Sequence, residues 1–510
     1  MGIAMLLESI ASAFPDRPLV SARDGALSAA GLLAEASGGA TVLRDAGADA
    51  VGFVGVGSAQ FPAVLYAAAL AGIPFTPLNY RLPAAQITEL AAGIGQRPVL
   101  VVGEQYAHAV QGAAATILTT GQWLAAARAA DPAPPAEFDD ERPAVVLYTS
   151  GTTSKPKGAV LRHSHLVSYV LQTVEFGSAA ADDAALISVP PYHVAGVGTV
   201  LTNTFAGRRV VYLPNFAPAG WLETVAGEGI TQAMLVPTML ARIVDHLDGG
   251  VADVPTLRAI AYGGARMPRP VLEKALTCLP DVDFTNAYGL TETSSTIAVL
   301  GPEDHRIALT SADPAVRDRL GSAGCLVPGV EGQVRDELGA VLPAGQPGQV
   351  WVRGSQVSGE YLGTGSVLDD QGWFHTRDQG WLDSDGYLFI SGRTDDTIIR
   401  GGENIAPAEI EDVLVTHPAV KEVAVVGVPD EEWGTRITAV VVAAPGSEVT
   451  GDDIREYVRA RLRGSRTPDD VVFRTELPHT PTGKLLRREL VRDLGGRHGR
   501  ELLAMKSAPC

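Results

Sequence analysis

The chain of 510 residues is short of cysteine, has no surplus of positive charge and contains no long unbroken apolar segment. Its three cysteines, Cys278, Cys325 and Cys510, are odd in number and far apart, so neither a disulfide framework nor a clustered metal site is indicated and a reducing cytoplasm is expected. A formal net charge of -18 argues against a general nucleic-acid binder, which needs a basic face to displace phosphate counterions; small partners are expected instead. The most apolar window, "FPAVLYAAALAGIPFTPL" from Phe61 to Leu78, is broken by Gly72, Pro74 and Pro77. A membrane span needs roughly 20 apolar residues in one helix, so this window reads as a buried helix followed by a strand. The opening "MGIAMLLESIASAFPDRP" has no basic leader and its apolar piece is interrupted by Glu8, so no secretory signal is expected.

What is present points to a packed α/β protein. The composition is 46% apolar with 56 glycines, and the length exceeds what a single hydrophobic core usually reaches, so two or more domains are expected. Short β-branched runs ("AVGFVGV", "PVLVVG", "AVVLYTS", "ALISVP", "RRVVYL", "TQAMLVP", "LRAIAYGG") alternate with helical segments, the rhythm of βα units in largely parallel, doubly wound sheets. "DPAPPAEFDDERP", Asp131 to Pro143, reads as a surface connection. After Gly321 the pattern changes to hairpin-like pieces, and a small β-barrel-like lobe is expected. From Asp395 onward, apolar strands flanking amphipathic helices suggest a compact α+β unit. The expected organisation is an N-terminal domain over 1–394 with two large sheets and the small lobe, and a C-terminal domain over 395–510.

The stretch "YTSGTTSKPKG", Tyr148 to Gly158, places a Gly/Ser/Thr-rich loop with Lys155 and Lys157 after an apolar strand, and the residues beyond it, "AVLRHSHLVSYVLQTV", read as a helix. Such a loop offers backbone N–H groups and hydroxyls to an anion. It is not a Walker loop, because Lys157 precedes Gly158, and "VGVGSAQ" fails the dinucleotide fingerprint at Gln60. "DSDG", Asp383 to Gly386, lacks the remaining ligands of a calcium loop and reads as a turn. His163 and His165 lack a third ligand and read as helix-surface residues.

Several motifs occur together: "YTSGTTSKPKG", "NAYGLTET" at Asn286 to Thr293, "GWFHTRD" at Gly372 to Asp378, "GRTDDTIIRGGENI" at Gly392 to Ile405 and "PTGKLLRREL" at Pro481 to Leu490. In kind and order they resemble the signature motifs of the adenylate-forming enzymes, the superfamily of acyl-CoA synthetases, peptide-synthetase adenylation domains and beetle luciferases. The resemblance implies that a carboxylate is joined to the α-phosphate of ATP, releasing pyrophosphate, and that a thiol then attacks the mixed anhydride. It also implies that the small C-terminal domain is mobile.

The same resemblance suggests roles by position. Thr149, Ser150, Gly151, Thr152, Thr153 and Lys157 are similar to the cradle for the β- and γ-phosphates. Gly263, Gly264 and Ala265 resemble the loop beside adenine and the acyl carboxylate, and Asn286, Ala287, Tyr288 and Gly289 the segment that packs on adenine. Thr291 is expected at the α-phosphate, Glu292 at Mg²⁺, and Asp378 and Arg393 at the ribose. Lys484 resembles the lysine that bridges carboxylate and α-phosphate oxygens during adenylation, and Asp395 the hinge.

The thiol acceptor implied by "RGGENIAPAEIE" is coenzyme A, with Gly401, Gly402, Trp433 and Arg466 as contacts and His193 gating the acyl site against the thiol tunnel. Candidate acyl-pocket residues are Tyr192, Val197, Val236, Thr238, Tyr262 and Ser294, a mixture that fits a fatty or aryl acid better than an amino acid. The sequence departs from the family pattern at Ser154, at Arg377 (commonly glycine), at Ala406, and at Ser465 and Arg466 in place of a tyrosine-lysine pair. The expected activity is that of an acyl-CoA synthetase using ATP, Mg²⁺ and coenzyme A. The alternatives are a ligase that loads a carrier protein's phosphopantetheine and a non-catalytic acyl or nucleotide sensor.

Overall fold

Continuous apolar runs such as Ala50–Val54 and Pro98–Val102 are buried along their whole length, as strands of a parallel sheet covered on both faces must be. A computed structural model describes residues 2–22, 25–132, 134, 136–137, 139, 142–149, 156–400, 403–430, 434–480 and 485–495. All seven β-branched runs singled out in the sequence contain strands. They divide between an eight-stranded sheet and a nine-stranded one, with parallel strands at the heart of each. In the nine-stranded sheet Arg209–Tyr212, Ala184–Ile187, Gln232–Leu235, Ala259–Gly263 and Asp283–Leu290 lie side by side in parallel, and Ser295–Leu300 returns antiparallel beside the last.

The apolar window resolves as the sequence suggests. Helix Gln60–Ala71 is buried nearly throughout, stops at Gly72 with φ 71° in a left-handed cap, and is followed by strand Phe75–Leu78. Among the described residues no helix is long and apolar enough to cross a membrane. Beyond Gly321 the chain forms an antiparallel four-stranded sheet of Val330–Arg335, Gly348–Gly354, Phe374–Leu382 and Leu388–Arg393. Asp383 accepts the N–H groups of Asp385 and Tyr387, each at 2.9 Å, and Gly386 has φ 87°, so "DSDG" is a turn.

Further along, Val420–Asp430, Gly434–Ala443 and Asp470–Phe473 make a three-stranded sheet, and helices Pro407–Leu414 and Gly451–Arg459 accompany it. The apolar side chains from Ile398 onward form two clusters of their own.

Two local expectations are corrected. The residues after the Gly/Ser/Thr loop do not enter a helix directly: Lys157–Arg162 is a strand antiparallel to Pro143–Thr149, and the helix begins at His163. The two histidines are not surface residues of that helix. His163 is 5% exposed and its Nδ1 accepts the Ile3 N–H at 3.3 Å, while Nδ1 of His165 accepts the Arg162 N–H at 3.3 Å.

Candidate active site

The two strands that flank the anion loop are antiparallel, with Thr149 and Lys157 their last paired residues. Ser150, Gly151, Thr152 and Thr153 lie outside the described residues. The Thr149 hydroxyl donates to the Lys157 carbonyl at 3.3 Å, which closes the hairpin at its base. The Lys157 ammonium stands 5.7 Å from the centroid of the Tyr361 ring, and the Tyr361 hydroxyl donates to Glu292 Oε1 at 2.6 Å. Burial and the neighbouring Glu292 charge push the Tyr361 phenol upward, so it remains a donor. Tyr361 is held beside the hairpin by pairing with Ala159 and by a two-point ion pair of Arg162 with Glu360, at 2.9 Å each. Tyr361 is not among the residues the motifs single out; it lies in "SGEYLG", eleven residues before Gly372 of "GWFHTRD".

Strand Asp283–Leu290 carries Asn286, Ala287, Tyr288 and Gly289. A Cβ on Gly263 would lie 2.3 Å from the Ala287 carbonyl oxygen, and one on Gly289 would lie 1.7 Å from that of Ser295, so both glycines are required by close backbone approach. Gly264 follows with φ 79°, leading to Ala265. The strand then breaks into a single 3-10 turn, Thr291–Thr293, that presents Thr291 and Glu292. Ser294 and Ser295 leave it with φ 56° and 104°, and two clamps hold this uncommon backbone. The Thr293 hydroxyl donates to Leu290 and Ser295 carbonyls at 3.0 Å, and the fully buried Gln356 amide reaches those of Thr293 and Thr296 at 3.0 and 2.8 Å. Asn286 Nδ2 is directed to the Ser322 carbonyl at 2.9 Å.

The Tyr288 hydroxyl donates to Asp378 Oδ2, and Arg393 Nη1 is 3.1 Å from Asp378 Oδ1. Burial, reinforced by the Asp378 carboxylate, pushes the Tyr288 phenol well above its ordinary value. Asp378 is 4% exposed, and its own N–H donates to the Thr376 hydroxyl at 3.0 Å. The register between Gly348–Gly354 and Phe374–Leu382 shifts here, and Arg377 takes φ 62°. This left-handed position accounts for the glycine that the motif commonly carries, since a residue with a Cβ gives up about 1–2 kcal/mol there. Arg377 Nη1 lies 3.9 Å from Asp395, which sits in the turn Thr394–Asp396.

His193 precedes helix Val194–Ala206, with its ring centroid 4.7 Å from that of Tyr192. Tyr192 is 8% exposed, packs against Tyr80 at 5.6 Å and has a buried hydroxyl without a partner among the described residues; burial pushes its phenol up to about 12. Thr238 lines a cleft of about 220 Å³ with Tyr80, Arg81, Ser188 and Arg242. Val236 and Ser294 are buried.

Two expected pocket residues point elsewhere. Val197 is fully buried in the main core, and the Tyr262 hydroxyl is within 2.8 Å of His305 Nε2 on the far face of its strand.

Gly401, Gly402, Trp433 and Lys484 lie outside the described residues. Arg466 is engaged by Glu409 at 2.9 Å and by Glu403, so its guanidinium is occupied within its own unit. Arg266 and Asp412 form an ion pair at 2.6 Å that joins the body to helix Pro407–Leu414. No group of three or more metal-ligating His, Cys, Asp or Glu side chains occurs among the described residues.

The profile of the AMP-binding enzyme family matches residues 7–362, and that of the AMP-binding enzyme C-terminal domain matches residues 409–484. The chain belongs to the AMP-binding enzymes. Within this family it is 36% identical over 461 residues to a fatty acid–[acyl-carrier-protein] ligase, ScoC, of Streptomyces coeruleorubidus, covering 87% of this chain and 86% of that one. A feruloyl-CoA synthase of an Amycolatopsis species is 36% identical over 466 residues, covering 89% and 91%. Among solved structures, ATP-bound MatB from Rhodopseudomonas palustris superposes with a TM-score of 0.86 at 26% identity, over 97% of this chain and 99% of that one. The o-succinylbenzoate CoA synthetase of Bacillus subtilis, in complex with its acyl-adenylate, gives 0.81 at 27% identity over 95% and 97%. The membership inferred from the motifs in the adenylate-forming superfamily therefore holds.

Proposed function

We propose that this AMP-binding enzyme activates a carboxylic acid with ATP and passes the acyl group to the thiol of coenzyme A. The carboxylate oxygen attacks the α-phosphorus and the bond to the β-phosphate oxygen breaks, giving acyl-AMP and pyrophosphate. The thiol then attacks the acyl carbon, forming the thioester and releasing AMP and a proton. The observation that carries this reading is the pairing of two differently held carboxylates at either end of one short segment. Asp378 is fixed by Tyr288 and Arg393 as an acceptor for ribose hydroxyls, and Glu292 is presented on a clamped turn beside Lys157.

Glu292 fits a role in holding Mg²⁺: Tyr361 engages only its Oε1, and a single carboxylate with phosphate oxygens suits that ion. Mg²⁺ bound there would offset negative charge on the triphosphate. Thr291 is assigned to the α-phosphate, and Lys484 to the charge that develops as carboxylate and phosphate approach. Tyr288, whose hydroxyl is spent on Asp378, offers its ring face to adenine. Reorientation of the C-terminal unit about Asp395 is proposed to exchange Lys484 for the Gly401–Gly402 and Trp433 side, where the thiol arrives. A cytoplasmic setting, where ATP and coenzyme A are available, belongs to the same proposal.

A second reading is favoured by the 36% identity to a carrier-protein ligase: the acceptor thiol is that of a carrier protein's phosphopantetheine. Mass spectrometry of the purified chain with Mg-ATP and a panel of fatty, aryl and amino acids, with and without coenzyme A, tests both. Acyl-CoA formed only with coenzyme A supports the first reading, and acyl-AMP that accumulates and ignores coenzyme A supports the second. No adenylate with any acid overturns both.

A further inference from the structure

We propose that Arg377, which stands where the motif commonly has glycine, is a positioning residue for the two-step reaction: it pins Asp395 to the body and so sets how readily the C-terminal unit changes orientation. The inference rests on the reorientation about Asp395 proposed above and deepens it.

The backbone around Arg377 is arranged to display its side chain. Trp351 pairs with His375 and Gln349 with Gln379, so two steps along strand Gly348–Gly354 face four along strand Phe374–Leu382. The extra residues form a bulge centred on Arg377, a device that re-aims a side chain beside a site. Its neighbours on both sides are locked inward. Thr376, 1% exposed, donates its hydroxyl to the Val350 carbonyl at 2.8 Å, and Asp378 is held by Tyr288 and Arg393. Arg377, with φ 62°, is exposed on the side of Asp395. Glycine takes this left-handed backbone without cost, so an arginine here is a conformational outlier, and such outliers cluster at functional sites.

The turn Thr394–Asp396 divides its two aspartates between the regions it joins. Asp395 Oδ2 lies 3.9 Å from Arg377 Nη1, on the body. Asp396 Oδ2 lies 3.6 Å from Arg487 Nε, in the C-terminal unit. Arg487 is anchored there by Glu411 Oε2 of helix Pro407–Leu414 at 2.8 Å and by the Val425 carbonyl of strand Val420–Asp430 at 2.9 Å. Before the turn, Arg393 is bound to Asp378; after it, Ile398 is 2% exposed in an apolar cluster of the C-terminal unit. Neighbouring side chains of one short turn therefore hold to opposite regions, and a reorientation has to bend the chain between them or release one grip. Arg377–Asp395 is the grip to be released, because its side chains are 47% and 39% exposed. An exposed pair shifts an equilibrium by only a few-fold, which suits a contact broken and remade in every catalytic cycle.

The test separates the turn from the chemistry. Arg377→Gln removes the charge but keeps the strained backbone, and Arg377→Lys keeps both. In hydrogen exchange of the substrate-free full chain, the amides of residues 394–397 are expected to exchange about two- to fivefold faster in Arg377→Gln and in Asp395→Asn than in wild type. The double variant is expected to go no faster than either single one, and Arg377→Lys to stay near wild type. Wild type in about 1 M salt, where the Debye length is about 3 Å, is expected to move toward Arg377→Gln. The two half-reactions, followed by rapid quench with ferulate and octanoate as the acids and their acyl-adenylates supplied for the second step, should change in opposite directions in Arg377→Gln. One slows because it uses the orientation that the pin favours, and the other quickens. Exchange at the turn that no variant alters, or half-reactions that slow together, overturns the pin while leaving the proposed activity standing. Wild type that forms no acyl-AMP with any acid of the panel above overturns the activity, and the exchange differences still decide the pin.

Discussion

The body of the enzyme and the unit that follows it place their charged side chains to different ends. In the body, Asp378 and Glu292 are steadied by the hydroxyls of Tyr288 and Tyr361, which come from other sheets, and the turn of Glu292 by the Gln356 amide, with an oxygen of Glu292 left over for a ligand. In the following unit, Arg400 is tied to Asp469, Arg466 to Glu403 and Glu409, and Arg487 to Glu411, so these ion pairs all close within the unit itself. Its apolar clusters are likewise its own. The first arrangement prepares a fixed binding surface. The second ties Arg400, Arg466 and Arg487 to its own fold, so the contribution to chemistry proposed for it rests on other groups, with Lys484 the proposed one. A unit with apolar clusters of its own supports the proposed reorientation.

The sharpest way to break this comparison is Lys484→Ala. If the C-terminal unit serves adenylation through this lysine and the thiol step through its other side, acyl-AMP formation falls by about a hundredfold or more, while thioester formation from supplied acyl-AMP continues. Equal loss of both half-reactions, followed by rapid quench, would assign the lysine a structural role instead.

Asp378→Asn probes the fixed side of the comparison and is expected to rank second. The amide keeps the shape but removes the charge that Arg393 and Tyr288 address, so stability falls by about 2 kcal/mol, in the range for hydrogen bonds to charged groups. KM for ATP rises with it. Urea unfolding and ATP titration check the two effects, and an unchanged KM with lowered stability would limit Asp378 to a structural role.

The contrast between regions also governs what the sequence disclosed. Strands of the two large sheets were legible because apolar runs lie between glycine and proline boundaries, as in "PVLVVG". The segment "GAVLR" was not, since a run of that length fits a strand or a helical turn equally, and only pairing with Pro143–Thr149 decides for the strand. Catalytic candidates tied to contiguous motifs came through, whereas Tyr361 and Gln356 reach Glu292 and Thr293 from more than sixty residues away and carry no local signal. Val197 and Tyr262 were assigned to the pocket because their residue types suit it. Which face of helix or strand they occupy depends on parity against neighbours, and both turn to the core side.

Arg377 sits at the boundary of the two regions, and Arg377→Gly is expected to sharpen the comparison gently. Glycine relieves the left-handed backbone at φ 62° and removes the long contact to Asp395. Since an exposed pair at that distance contributes little, a net gain of about 1 kcal/mol in stability is expected, read from the urea midpoint. A loss of stability would mean that Arg377 is more firmly held than its backbone suggests.

The smallest effect should come from Asp412, whose ion pair with Arg266 links the two regions. Burial raises the Asp412 carboxyl above its ordinary value, and the Arg266 charge opposes that rise without cancelling it. The folded state therefore holds the proton more tightly than the unfolded chain does. Its contribution is fully present below the ordinary carboxylate range and is lost as pH rises through the raised value. Relative to Asp412→Asn, wild type should lose ground as pH rises from about 4 to about 7, with a difference near neutrality under about 1 kcal/mol because both side chains are partly exposed. Urea unfolding of both proteins across that range reads the sign. A wild-type advantage that grows with pH would show the Arg266 pair to be a true clasp between the regions, and would count against the loosely joined unit on which the proposed reorientation depends.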